Sequence, residues 1–386
     1  MQEKYCLGVP SDITIFRKLV KTGSYIDKTM YLRRMLRGDH CYMLYLPHGW
    51  GKTLTCSMLK ELFEGNKELF KGLDIYDWYD FEPYPVIYLD FRRLNVSETF
   101  DAFMDSLWNL IYEEVAEYGI TPNEYTRTPQ MLLHMVIDKL LYLSDQKVVI
   151  LIDNYDSPLY RAIGKDFYEK MDRILENLYG SLKNFKGRFL LMTGVTKYLI
   201  RTLLGSGLYM NYVTKHFQYN GMLGYTEDEI INHFGDVIDK HMDGYHSRED
   251  FLDKLRRYYG GYRLNDKIEE PVYNPLSINR FMKNGCEFRS YWDDTEETEF
   301  ASEITKSLTD EELFKWHAIE KILNTFSIPT YDPESSRDAL TMLFFSGYLT
   351  VKGGSEYQIL DLDFPNEEAK NAFKVFIRKE QSVLTE

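Results

Sequence analysis

Leu46-Pro47-His48-Gly49-Trp50-Gly51-Lys52-Thr53 is the stretch from which the fold is read. Before it runs Cys41-Tyr42-Met43-Leu44-Tyr45-Leu46, apolar and of the length of a buried strand. After it, Leu54, Met58, Leu59 and Leu62 recur at helical spacing. Strand, glycine-containing turn, Lys-Thr and helix together form the context that a phosphate-binding loop requires. The N–H groups at a helix start lack intrahelical acceptors, so they hold an anion. In this reading Pro47, His48, Gly49, Trp50, Gly51, Lys52, Thr53 and Leu54 surround the phosphates of a nucleotide. Gly51 lets the backbone approach, Lys52 reaches the terminal phosphates, and the Thr53 hydroxyl sits on Mg²⁺. The full pattern places a further Gly six residues before the Lys, and that position is Leu46. Gly-Lys-Thr also opens plain strand-to-helix turns, so the flanking sequence has to decide.

The strongest strand pattern is Lys147-Val148-Val149-Ile150-Leu151-Ile152-Asp153, β-branched and continuous as a central parallel strand should be. Asp153, at its carboxyl end, takes the place of the magnesium-linked carboxylate of phosphate-loop NTPases. Mg²⁺ keeps most of its waters, so Thr53 and Asp153 suffice as its protein partners. Arg188 to Gly194 reads as another strand, and Thr193 near its end is placed to sense a terminal phosphate or to orient a water; Thr-Gly is equally a strand-ending turn. Lys197 and Arg201 follow, as phosphate contacts or as surface charge. Pro85 to Phe91 reads as a buried strand, and a weak strand is expected near Tyr212 to Thr214. Strands alternating with helices predict an α/β fold with a parallel sheet. The strand Val86–Leu89 lies between the two motif strands in sequence, which points to the additional-strand class of NTPase. Thr53, Asp153 and Thr193 are then expected to converge at the carboxyl edge of the sheet.

This gives a core over residues 41–223, preceded by a helical lead-in over 1–40. In the lead-in, Asp12 is a candidate cap for a helix carrying Ile15, Phe16 and Leu19, and Asp27-Lys28 reads as a cap and ion pair before a helix from Thr29 to Leu36. Within the core, Ser97 is expected to cap a helix carrying Phe100 to Val115, and Thr128-Pro129 to open another. From about Gly224 buried strand patterns give way to helices, over 224–386. Thr226 with Glu229 forms a capping box. Helices are expected over Glu299–Ser307, Asp310–Asn324, Arg337–Phe345 and Asn366–Lys379, with a β-hairpin at about 347–360, a winged-helix-like arrangement.

Composition sets limits on function. Hydrophobic residues at 44% and charged residues at 27% are those of an ordinary globular chain, and 31 Tyr with 23 Phe supply large cores. The net charge of −14 argues against a generic charge-driven nucleic-acid binder, and Arg33-Arg34 with Arg37 reads as a solvated helix face. The four cysteines have neither metal-ligand nor redox spacing. No apolar run approaches the ~20 residues of a membrane span, and Gln2-Glu3-Lys4-Tyr5 does not open a signal peptide, so a cytoplasmic location is expected.

The ordered pieces resemble the AAA-ATPase-like family that is often joined to a C-terminal PD-(D/E)XK nuclease-like domain. Gly23-Ser24-Tyr25-Ile26-Asp27-Lys28-Thr29 is similar to its G-x-Y-V-D-K-T entry segment, and Pro47 to Leu54 to its loop, which itself lacks the first glycine. Leu151 to Leu159 resembles L-I-D-E-Y-D-x-P-L, and Thr193-Gly194-Val195-Thr196-Lys197 resembles T-G-V-S-K. Tyr259 to Tyr262, Val272 to Ser277, Ser346 to Thr350 and Pro365 to Glu368 are similar to later pieces, so the resemblance spans about residues 8 to 375. It implies an ATP-binding protein that uses Mg²⁺. It also marks departures: family members carry arginines where this chain has Leu46, His48 and Gly49, and Glu where it has Asn154. In related ATPases that Glu polarises the attacking water, whereas Asn orients a water without taking its proton. Asp156, two residues on, is a partial substitute. The chain ends at Glu386 soon after the Pro365 to Glu368 piece, so a nuclease-like part is expected either to be absent from the protein or to lie beyond this stretch. Lys52, Asp153, Asn154, Asp156 and Thr193 are thus the candidate catalytic residues. The expected function is a nucleotide-dependent switch with impaired hydrolysis, self-associating or engaging a protein partner. The alternatives are an NTPase fold that has lost nucleotide and serves as an interaction protein, and a nucleic-acid-associated module.

Overall fold

The computed structural model describes residues 15–38, 40–123, 127–143, 148–183, 185–195, 209–264, 267–291, 327–329, 343–354 and 359–384. Asp12, Lys197, Arg201 and the helices expected over Glu299–Ser307 and Asp310–Asn324 lie outside these residues, as does most of Arg337–Phe345.

Two short helices, α1 (Phe16–Thr22) and α2 (Thr29–Arg37), lead into strand β1 (Cys41–Tyr45) and helix α3 (Lys52–Phe63). There follow β2 (Val86–Asp90), α4 (Phe100–Ala116), α5 (Pro129–Leu143), β3 (Val149–Asp153), α6 (Ser157–Arg161), α7 (Tyr168–Gly180), β4 (Phe189–Gly194) and β5 (Asn211–Tyr212). The strands form one parallel sheet in the order β2-β3-β4-β1-β5. Both faces are covered, and the strand period of two divides the core accordingly. Tyr42, Leu44, Val149, Leu151, Phe189 and Leu191 join the core built with α3, around Met58, Leu59 and Leu62. Their neighbours Met43, Tyr45, Ile150, Ile152, Leu190 and Met192 join the core built with α4, α5 and α7.

One strand does separate the phosphate-loop strand from the Asp153 strand in space, and it is β4. Val86–Asp90 takes the far edge beside β3. Burial explains the order: every residue of β4 is buried, whereas Tyr88 and Asp90 of β2 are only half-buried. The cap of α4 also differs from expectation. Thr99, in extended conformation, accepts from the Ala102 N–H, while the Ser97 hydroxyl turns to Asn95.

The remainder is led by α8 (Glu227–Lys240), α9 (Arg248–Tyr259) and α10 (Pro275–Lys283), which share a core of Ile230, Phe234, Phe251, Leu255, Tyr259 and Phe281. The capping box on α8 is made in both directions, Glu229 N–H to Thr226 Oγ1 at 3.3 Å and Thr226 N–H to Glu229 Oε2 at 2.8 Å. The expected hairpin is an antiparallel sheet in which β8 (Ile359–Asp363) is flanked by β7 (Thr350–Gly354) and β6 (Ser327–Pro329), followed by α11 (Glu367–Leu384). Tyr348, Val351, Leu362 and Phe373 from this end belong to the same core cluster as Trp50 and α3. Among the described residues no helix is long and apolar enough to cross a membrane.

Lys28 ties the lead-in to α8. Its buried ammonium donates to the carbonyls of Gly221 at 2.5 Å and Gly224 at 2.8 Å, and to both oxygens of Glu229 at 2.5 Å. Asp27 Oδ1 accepts from the Thr29 N–H at 2.8 Å in a turn just ahead of α2, whose N-cap residue, Lys28, makes no side-chain cap, and the ion pair of Lys28 is made with Glu229, 201 residues away.

Candidate functional site

The loop between β1 and α3 is held at both ends. Leu46 N–H donates to the Gly194 carbonyl at 3.0 Å, joining it to the end of β4. Gly49 and Gly51 have φ of 77° and 80°, the left-handed region that favours glycine. Gly51 is the residue from which α3 springs, and the N–H groups of Thr53 and Leu54 in its first turn have no acceptor among the described residues. Lys52 is buried, and its ammonium donates to the carbonyls of Leu46 and Pro47, each at 2.7 Å. Pro47, His48 and Trp50 are buried as well. The Trp50 ring meets Tyr262 edge-on, centroids 5.0 Å apart, and a Cβ at Gly224 would lie 3.0 Å from it.

Asp153 is fully buried at the carboxyl end of β3. Thr193 Oγ1 donates to its Oδ1 in a very short contact, and the Tyr88 hydroxyl donates to its Oδ2 at 3.2 Å. Burial, seconded by the neighbouring Asp90 carboxylate, pushes the Asp153 carboxyl above the usual range. The hydroxyls of Thr193 and Thr53, with the Arg92 guanidinium, pull the other way. Thr53, Asp153 and Thr193 are therefore brought together, with Lys52 one residue from Thr53.

Asn154 has φ 55°, a conformation that Asn tolerates better than most residues. Its N–H donates to Thr193 Oγ1 at 3.2 Å, and its Nδ2 donates to Asp90 Oδ1 at 3.1 Å. Asp156 is engaged elsewhere, its Oδ2 accepting from the Val195 N–H at 2.8 Å. A Cβ at Gly194 would lie 2.3 Å from the Tyr155 ring and 2.8 Å from Asp156 Oδ1, so this contact requires glycine.

Two neighbours of the site were not among the candidates drawn from the sequence. Asp90 is in register with Asp153 across β2 and β3, and Arg92 pairs with Asp90 at 3.1 Å and reaches Thr53 Oγ1 at 3.5 Å. The sequence held part of the signal, since both strand patterns end in Asp, but not the register that places the two side by side. Of the other arginines, Arg161 braces the turn after β2 by donating to the carbonyls of Arg92 and Leu94. Arg188 stands just ahead of the amino end of β4, over Phe63 and Tyr84.

The donor set fits a Mg²⁺ that arrives with phosphates. It offers one hydroxyl and one carboxylate, both hard oxygens, beside helix-start amides. Among the described residues no group of three or more His, Cys, Asp or Glu is arranged to hold a metal by itself.

The chain is 26% identical over 373 residues to an uncharacterized protein in the vnfD 5′ region of Azotobacter chroococcum mcd 1, covering 94% of this chain and 68% of that one. Among solved structures, the Aeropyrum pernix ORC2 protein in its ADPNP–ADP complexes aligns with 95% of this chain and 98% of its own, at 15% identity and a TM-score of 0.40. Cdc6p from Pyrobaculum aerophilum aligns with 94% and 98%, at 15% identity and a TM-score of 0.32. At such scores the likeness transfers neither site nor ligand. The family model described as a predicted AAA-ATPase matches residues 10–204, half of the chain, and the chain belongs to that family.

Proposed function

We propose that this chain binds ATP with Mg²⁺, hydrolyses it slowly or not at all, and uses the bound nucleotide to set the position of its C-terminal half. The observation that carries this reading is the meeting of Thr53, Asp153 and Thr193 at the carboxyl edge of the sheet, with Lys52 on the same helix start. Lys52 would leave the loop carbonyls for the phosphates, and Thr53 and Asp153 would hold Mg²⁺ directly and through water. Bound Mg²⁺ would neutralise charge on the phosphates. Asn154 orients a water without taking its proton, and the lack of a general base costs about 10²–10⁴-fold in rate. Asp156, engaged by the Val195 N–H, is poorly placed to replace it. The link to the C-terminal half is Trp50, which belongs to the loop and packs on Tyr262.

The test is calorimetric titration with Mg-ATP of the wild type and of Lys52→Ala. Binding to the wild type with loss in the variant is expected; equal affinity in both refutes the reading. A second reading has one observation in its favour: the Lys52 ammonium is already satisfied by the loop's own carbonyls. In that case the fold serves as an interaction protein without nucleotide. Thermal melting separates the two, since a ligand at 100 times its Kd adds about 2.7 kcal/mol. An unchanged Tm in millimolar Mg-ATP favours the second.

A further inference from the structure

Between Leu46 and Leu54, Lys52 is the only Lys or Arg. A nucleoside triphosphate bound with Mg²⁺ still carries negative charge that one ammonium does not match. Among the described residues the next cation at the site is Arg92, in the helical turn Phe91–Arg93 directly after β2. Its side chain forks onto Asp90, Nε to Oδ1 at 3.3 Å and Nη2 to Oδ2 at 3.1 Å, and the same Nη2 lies 3.5 Å from Thr53 Oγ1. The turn that carries it is fixed: Arg92 N–H donates to Asp90 Oδ1 at 3.1 Å, and Arg161 holds the carbonyls of Arg92 and Leu94 at 3.1 and 3.3 Å. Asp90 is oriented in turn by Asn154 Nδ2.

We propose that Arg92 is a phosphate-contacting arginine supplied by the same chain, held by Asp90 until the terminal phosphate of a bound triphosphate draws it across. The inference rests on the nucleotide reading above. Three features support it. The guanidinium already lies 3.5 Å from the Thr53 hydroxyl assigned to the metal, one residue from the lysine assigned to the terminal phosphates. Its contacts to Asp90 are longer than the ~2.7–2.9 Å of a tight charge-assisted pair, so a phosphate offering the same planar, two-point recognition can compete for it. Its side chain is 31% exposed and that of Asp90 16%, so the guanidinium has room to move while its holder stays in place. A diphosphate lacks the group that draws Arg92 over, and Arg92 then stays on Asp90. The consequence is discrimination between triphosphate and diphosphate.

The experiment is calorimetric titration of the full chain with ADP and with the non-hydrolysable triphosphate AMP-PNP, both with Mg²⁺, for the wild type, Arg92→Gln, Arg92→Lys and Lys52→Ala. Melting curves without nucleotide identify any variant that fails to fold, and Arg92→Lys keeps the charge should Arg92→Gln do so. Arg92→Gln is expected to weaken AMP-PNP at least tenfold, about 1.4 kcal/mol, and ADP by less than twofold. Arg92→Lys should fall between, having the charge without the fork, and Lys52→Ala should lose both ligands. Equal weakening of ADP and AMP-PNP in Arg92→Gln, or weakening of neither, overturns the role of Arg92 and leaves the nucleotide reading standing. A wild type that binds neither ligand overturns both.

Discussion

Replacing Lys28 by Met keeps the aliphatic stem and removes a charge that is buried among four acceptors. Breaking a buried pair from one side costs about 3–5 kcal/mol, chiefly through the charge left behind. Here the charge left behind is Glu229, whose side chain is 25% exposed and which retains the Thr226 N–H at 2.8 Å. Lys28→Met therefore belongs at the lower end, about 3 kcal/mol. Glu229→Gln is the harsher change, because it removes the countercharge of an ammonium that is only 11% exposed and leaves it on neutral oxygens. Its cost has a ceiling. Burial already lowers the Lys28 pKa, and the group can shed its proton. From an unfolded pKa of about 10.4, doing so at pH 7 costs about 4.6 kcal/mol. Thermal unfolding reads both. On the scaling for domains of 150–250 residues, about 3 kcal/mol lowers Tm by roughly 6–12 °C. The double variant should recover at least about 2 kcal/mol relative to the sum of the singles, since it leaves no stranded charge. Single losses below about 1 kcal/mol that simply add would refute the reasoning, because that is the behaviour of a solvated surface pair.

Asp153→Asn should stabilise the empty protein at neutral pH while abolishing Mg-dependent nucleotide binding, a combination visible in melting curves with and without Mg-ATP. The pH dependence has a definite sign. The native carboxyl titrates above its unfolded value, so its contribution is fully present below about pH 3.9 and is lost as pH rises through the raised native pKa. Asp153→Asn should flatten that part of the stability profile, and Thr193→Val, which removes a hydroxyl that favours the ionised form, should extend it to higher pH. Gly194→Ala should cost about 1–3 kcal/mol in denaturant titration, since the added methyl meets the Tyr155 ring at 2.3 Å. Trp50→Ala should cost about 3–5 kcal/mol, because the ring fills a site 3% exposed between the loop and the C-terminal core.

Much of this was legible in the sequence because it is local. The phosphate-loop context, the apolar run ending in Asp153, the Thr226–Glu229 box and the alternation of strands with helices each follow from a few adjacent residues, and the structure contains them. Spatial order was not legible. Apolarity marks β2 and β4 as strands, but which of them lies between β1 and β3 depends on burial on both faces. For the same reason Asp90 and Arg92 escaped notice, since Asp-Phe-Arg-Arg after a strand has the composition of a surface turn until register puts Asp90 beside Asp153. β6 is three residues ending in Pro329, a pattern typical of an edge strand and too short to show a period. Lys28 offered a charge without indicating a partner so far along the chain.

The edge-on packing of Trp50 against Tyr262 has a thermodynamic corollary. A side chain shared between two regions makes their energies one quantity, and linkage between binding events is reciprocal. If filling the loop displaces Trp50 and so alters the affinity of the C-terminal region for another molecule, that molecule must alter the affinity of the loop by the same factor. A partner that grips the surroundings of Tyr262 would then act as a nucleotide-exchange or nucleotide-retention factor without touching a phosphate. Truncating one ring, Tyr262→Ala, should uncouple the two effects together.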